Sequence, residues 1–206
     1  MKRLLTIAIL LVPLLIHAQG LSIKSGIALS KWTGGVERPV ENRTGISFGM
    51  SYGFHLSNDL TLNLGSRYLS TGSVQRFSES DDFFGVTYNE LIVVKTKNLN
   101  FPVLIKYLLN DNVYLQGGPY VSFLLSDEIE ATYTQCIEGN CIGEKETFES
   151  NDVFESNTMG IEIGIGTLIS DSFIIEVSLL KGLSPTIEQK DPIKDQSLMF
   201  SFGYQF

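Results

Sequence analysis

The chain has 206 residues, 43% of them apolar and 18% charged. Lys and Arg number 15 against 23 Asp and Glu, a formal net charge of −8, which argues against a nucleic-acid binder, since such a protein needs a basic surface to neutralise phosphates. Two histidines and two cysteines leave little material for a metal site or a His-based active site.

The N-terminus reads as a secretory signal peptide over residues 1–18. Lys2 and Arg3 give a positive start, residues 4–16 are apolar apart from Thr6 and Pro13, and Ala18 offers a small residue for cleavage. The run is shorter than the ~20 residues a membrane-spanning helix needs; the competing reading is an N-terminal anchor helix. Cleavage leaves residues 19–206 as one domain and takes the net charge from −8 to −10 by removing two cations. Export also places the chain where disulfides persist.

After Gln19 the dominant period is two. Eight strands are read at 21–31, 44–56, 60–71, 97–109, 113–126, 158–169, 173–182 and 197–206. The second shows the pattern best: Thr44, Ile46, Phe48, Met50, Tyr52, Phe54 and Leu56 share one face, and Gly45, Ser47, Gly49, Ser51, Gly53 and His55 the other. Most runs have the length of tilted membrane-spanning strands, about 9–11 residues or somewhat more. The connections alternate. Short polar turns at 57–59, 110–112 and 170–172 suit hairpins, and the stretches 32–43, 72–96, 127–157 and 184–196 read as long loops. This predicts an all-β fold: an eight-stranded antiparallel up-and-down transmembrane β-barrel with short periplasmic turns and long extracellular loops. An open sheet edge in lipid costs several kcal/mol per unpaired backbone group, so the sheet closes. The inverted alternative, a water-soluble barrel with its apolar face inward, leaves the Gly- and Ser-rich face without a use; inside a narrow membrane barrel those small residues fit. Pro102 and Pro119 fall within strands, and bulges or unpaired positions are expected there.

The polar face carries Lys24, Arg67, Lys106, Glu162 and Glu176. Counted from the short-turn end, Lys24, Lys106 and Glu176 form a lower tier, and Arg67 and Glu162 an upper one. A lumen this narrow is filled by side chains, so these charges are expected to pair as a plug. A polar pathway or proton relay is the competing reading.

The stretch 127–157 holds nine acidic residues, Asp127, Glu128, Glu130, Glu138, Glu144, Glu146, Glu149, Asp152 and Glu155, against Lys145 alone. It reads as a solvated, self-repelling loop; a site for divalent cations or for a basic partner is the sharper alternative, although the spacing matches no EF-hand. Cys136 and Cys141 lie in this stretch on either side of Gly139-Asn140, a turn-forming pair, and an oxidising compartment favours a local disulfide between them.

The mature chain's one histidine, His55, sits beside the short turn 57–59 with no triad evident around Ser47 and Ser51. No catalytic group, cofactor or metal site is therefore assigned, and the chain is read as a structural or interaction protein rather than an enzyme.

The stretch Asn98-Leu99-Asn100-Phe101-Pro102-Val103-Leu104-Ile105-Lys106-Tyr107, followed by Tyr114-Leu115-Gln116-Gly117-Gly118-Pro119-Tyr120, resembles the mid-barrel signature of PorT-like outer-membrane β-barrel proteins of Bacteroidetes. The Ala18-Gln19 junction and the terminal Phe206 fit the same picture. The resemblance spans essentially the whole mature chain and implies a cell-envelope protein in the outer membrane. It says little about role, because the family is broad; a few members are linked to protein secretion. Phe202, Tyr204 and Phe206, alternating at the C-terminus, resemble the signal read by the barrel-assembly machinery. The partners expected are outer-membrane lipid, that machinery during biogenesis, and an envelope or secreted protein. A binding module for a cation or a hydrophobic ligand is the alternative role.

Overall fold

The computed structural model describes residues 20–206 except 36–38, 82–85, 138–139, 150–152, 171 and 189. The segment read as a signal peptide, Gln19, and the acidic residues Glu138 and Asp152 lie outside the described residues. Nine strands follow one another: β1 (Leu21–Gly34), β2 (Val40–His55), β3 (Leu60–Asp81), β4 (Val86–Leu108), β5 (Val113–Ile137), β6 (Asn140–Phe148), β7 (Asn157–Ile169), β8 (Phe173–Gly182) and β9 (Ile193–Gln205). Every pairing is antiparallel. β1 pairs with both β2 and β9, β4 pairs with β5, and the first half of β5 pairs with β7. Eight strands therefore close into a ring. The ninth, β6, stands outside it and, among the described residues, pairs with the second half of β5 alone.

The period-two pattern settles the two faces. Ile46, Phe48, Met50, Tyr52 and Phe54 point out of the ring, with Phe48 57% exposed; Phe202 across the seam is 63% exposed. The inward positions carry Ser22, Ser30, Ser47, Asn100, Gln116, Ser122, Ser178, Ser197 and Ser201, all buried. On β4 the outward row runs from Tyr107 through Ile105, Val103 and Phe101 to Leu99 and then turns charged at Lys97 and Lys95. That apolar run has the length a tilted strand needs to cross the hydrocarbon core.

The long loops at 72–96 and 127–157 are not loops. β3 continues to Asp81, β4 begins at Val86, β5 runs to Ile137 and β6 occupies Asn140–Phe148. Their ends build a four-stranded antiparallel blade, in the order β3-β4-β5-β6, that projects beyond the ring. At ~3.3 Å per residue it reaches roughly 30 Å past the apolar belt. The first and last long connections are also shortened, because β1 extends to Gly34, β2 starts at Val40 and β9 starts at Ile193. The reason is physical. Beyond the lipid both faces of a strand meet water, so the apolar-out alternation that marks a membrane strand disappears. What remains is the β-branched and aromatic content of Val86-Thr87-Tyr88, Leu91-Ile92-Val93-Val94 and Thr132-Tyr133-Thr134.

Two irregularities lie where the blade leaves the ring. The β2–β3 register shifts between Asn42 and Ser47, opposite Gly72, whose φ of 142° a side chain rarely adopts. The β4–β5 register shifts between Lys97 and Asn98. Neither proline shifts the register. Pro102 pairs with Tyr120, and Pro119 pairs with Ile161 on its other side; the β4–β5 ladder merely skips the positions between Pro102 and Ile105.

Candidate functional site

The lumen is built from short inward side chains, with a few long ones anchored across it. Near the short-turn end, Lys24 Nζ donates to Glu176 Oε2 at 2.8 Å, the Tyr114 hydroxyl donates to the same oxygen at 2.9 Å, and Ser178 Oγ donates to Oε1 at 3.2 Å. Lys106 does not join this carboxylate; its Nζ lies 4.0 Å from the centre of the Tyr114 ring. Higher up, Arg67 grips Glu162 with two parallel bonds of 3.2 and 2.9 Å, the bidentate geometry that makes guanidinium–carboxylate pairs strong. Glu162 and Glu176 are 0% and 2% exposed, so each pair works in a medium where an unpartnered charge costs several kcal/mol.

Two tyrosines that the sequence reading passed over complete the lumen. Tyr114 packs where Gly166 has no side chain, and Tyr120 does the same at Gly160; a Cβ at either glycine meets the ring. Their signal was present, since Tyr114, Gln116, Tyr120 and Ser122 share the inward parity of β5. Tyr120 joins Ala28, Leu69, Leu180 and Met199 in an apolar layer across the barrel. A cavity of about 40 Å³ containing the charged groups lies to one side, and another of about 30 Å³, lined by Trp32, Asn100, Tyr120 and Asp195, to the other. Each has room for one or two waters; the first is lined by Gln116 and Arg67, whose buried amide and Nε have no protein partner among the described residues. At the mouth, Trp32, Val94 and Ile193 form a second apolar cluster, with Phe154 tilted over Trp32 at 6.0 Å.

The blade distributes its charges between two faces. On the outer face Lys95 Nζ donates to Glu128 at 2.9 Å and lies 2.8 Å from Glu130, which also accepts from Lys145 at 3.3 Å. The hydrogen bond from Lys95 holds Glu130 below the usual carboxylate range, and the bonds to Glu130 and then Glu128 raise Lys95 above the usual lysine range. Asp127, Glu144 and Glu146 lie on the inner face, by their pairing with Thr96, Tyr133 and Ala131. Glu149 and Glu155 sit in the connection to β7. The acidic stretch is therefore divided rather than clustered, and its main counter-charge, Lys95, comes from another strand. Among the described residues no group of three or more His, Cys, Asp or Glu is placed to hold a metal ion.

Cys136 and Cys141 are joined in a disulfide at the tip of the β5–β6 hairpin. Phe202, Tyr204 and Phe206 point outward near the short-turn rim, where Tyr204 meets Phe173 and Phe206 edge-on at 5.4 and 4.9 Å. His55 is exposed at the same rim.

Several solved structures are similar in outline. The attachment invasion locus protein Ail of Yersinia pestis matches over 91% of this chain and 99% of its own, at 16% identity and a TM-score of 0.43. Neisserial surface protein A matches over 91% and 97%, at 10% identity and a TM-score of 0.40. The outer membrane protein OprG of Pseudomonas aeruginosa matches over 92% and 97%, at 11% identity and a TM-score of 0.39. No curated protein matches the chain. The family model described as outer membrane protein beta-barrel domain matches residues 18–188. With its closed ring and its apolar outer belt, this chain belongs to that family and is an outer-membrane β-barrel protein.

Proposed function

We propose that the protein is a non-conducting barrel that holds a recognition blade at the cell surface. The observation that carries this reading is the blade. Three ring strands, β3, β4 and β5, continue past the apolar belt, and the fourth strand added there, β6, pairs on one side only among the described residues. An unpaired strand edge and exposed aromatic side chains are the usual means of engaging another protein. The Lys24–Glu176 and Arg67–Glu162 pairs, with the apolar layer above them, act as a plug rather than a relay. In this reading residues 1–18 are a cleaved signal peptide, the Phe202–Tyr204–Phe206 row serves the barrel-assembly machinery, and the Cys136–Cys141 disulfide stiffens the hairpin tip.

The resemblance of the stretches 98–107 and 114–120 to PorT-like proteins of Bacteroidetes supports a second reading, in which the blade's partner is part of a protein-secretion system. The two readings differ in the partner, not in the surface. Cross-linking on intact cells tests both. A stoichiometric adduct is expected with the full chain and is lost when a short turn replaces residues 136–149, while heat-modifiable migration persists. An unchanged adduct removes the proposal. In planar bilayers no stable ion-sized steps are expected, and steps altered by Glu162→Gln overturn the plug.

A further inference from the structure

On the inner face of the blade the cross-strand neighbours Phe77, Glu90, Tyr133 and Glu144 form one continuous row over β3, β4, β5 and β6. Aromatic and carboxylate side chains alternate along it at the ~4.8 Å strand spacing. The adjacent row places Tyr88 and Ile142 against them. These six residues line a groove of about 410 Å³, within the range that holds a ligand. Ile142 is 81% exposed, and Phe77, Tyr88 and Tyr133 are exposed as well. Lys95 and Lys145 bind carboxylates on the opposite face. The groove thus pairs ring faces with carboxylates, and among the described residues no lysine or arginine lines it.

We infer that this groove binds an extended, arginine- or lysine-rich peptide segment of a partner protein. A guanidinium stacks on a tyrosine face while its edge donates to a carboxylate one strand away. An anionic segment is repelled. A second copy of the chain offers the same acidic face and is repelled too. A divalent ion lacks a clustered donor set, because an aromatic separates each carboxylate from the next in the row. The inference rests on the blade being a recognition element and names the chemistry of what it recognises.

The test uses the full chain in lipid nanodiscs and a fluorescein-labelled peptide of about ten residues alternating Arg and Ser, a length that spans the blade. Anisotropy titration is expected to show saturable binding that weakens as salt rises. Tyr88→Ala with Tyr133→Ala weakens it about 10-fold or more, from the loss of two cation–aromatic contacts. Glu90→Gln with Glu144→Gln weakens it similarly, and Lys145→Ala, on the opposite face, leaves it unchanged. Heat-modifiable migration confirms that each variant is folded. Equal binding by the tyrosine double variant, equal binding of a Glu–Ser peptide, or binding of tetramethylammonium without the peptide overturns the inference. Absence of peptide binding in a protein whose cell-surface adduct depends on residues 136–149 overturns this inference and leaves the recognition blade standing.

Discussion

The barrel wall and the blade share β3, β4 and β5, yet they sort their side chains in opposite ways. In the wall, Phe48, Ile163 and Phe202 face outward and the ion pairs Lys24–Glu176 and Arg67–Glu162 are hidden inside. A few residues further along β4 and β5, Lys95, Glu128 and Glu130 pair on the outside, while Tyr88 and Tyr133 gather on the inner face. The change occurs near the two register shifts, at Gly72 and at Lys97/Asn98. Lipid admits only one arrangement of a strand's two faces. Water admits either, and above the belt the arrangement is free to serve something other than burial.

The largest expected effect separates two ion pairs of similar chemistry. Glu162→Ala leaves Arg67 charged and buried, which destabilises the barrel by about 3–5 kcal/mol. Glu41→Ala removes the partner of Arg76 on the blade's exposed flank, where both side chains are more than half exposed, and costs no more than about 0.5 kcal/mol. Urea unfolding followed by heat-modifiable migration measures both. Similar values for the two variants mean that water reaches the lumen.

The next contrast concerns the apolar surface. Phe48→Arg, near the middle of the β2 outward row, is expected to cost about 2–4 kcal/mol in a bilayer. Ile142→Arg, more exposed still, stays within about 0.5 kcal/mol because its side chain is already in water. Exposure alone ranks these two positions wrongly; the solvent each one faces ranks them correctly.

Glycines give a third, smaller contrast. A Cβ at Gly160 meets the Tyr120 ring, so Gly160→Val overpacks the apolar layer at a cost of about 1–3 kcal/mol. A Cβ at Gly143 on β6 finds Thr134 Oγ1 at 3.3 Å, on an exposed strand free to shift. Gly143→Ala is therefore expected to be neutral or slightly stabilising, since alanine loses less backbone entropy than glycine. The same unfolding assay reads both.

These contrasts also explain how much the sequence disclosed. The ring was legible because lipid imposes a strict period of two from Thr44 to Leu56 and again at the C-terminus, and because Gly and Ser on the opposite face have a use only in a narrow lumen. The heights of Lys24, Arg67, Glu162 and Glu176 could be counted from the turns. Tyr114 and Tyr120 were missed because bulky side chains were assigned to the lipid face by size, when Gly166 and Gly160 provide room for them inside. The blade was missed for a different reason. Its strands carry no alternation, its charges alternate between two faces that a chain-order count merges, and the cross-strand neighbours that pair Lys95 with Glu130 and Glu90 with Tyr133 are tens of residues apart in sequence. Acidity in a segment read as a loop concealed two faces of a sheet.

The smallest effect is a pH dependence confined to the blade. Glu130 is depressed first by its hydrogen bond from Lys95. Its contribution is present above the unfolded carboxylate value, near 4.5, and is lost as pH falls through the lower folded value. Lys95 is raised, chiefly by Glu130, so its contribution is present below the unfolded lysine value and is lost only as pH rises through the higher folded one. The cluster is therefore intact at neutral pH and loosens in acid. Both side chains are partly exposed, which limits each pair to about 0.2–1 kcal/mol, a change of up to about 5-fold in local opening. Amide protection factors in β4, β5 and β6 are expected to fall as pH drops below the carboxylate range. In Lys95→Ala they start lower and change less with acid. If protection in the ring falls in step with the blade in the wild-type chain, the two regions do not open independently, and the blade is a cooperative part of the barrel rather than an extension built on it.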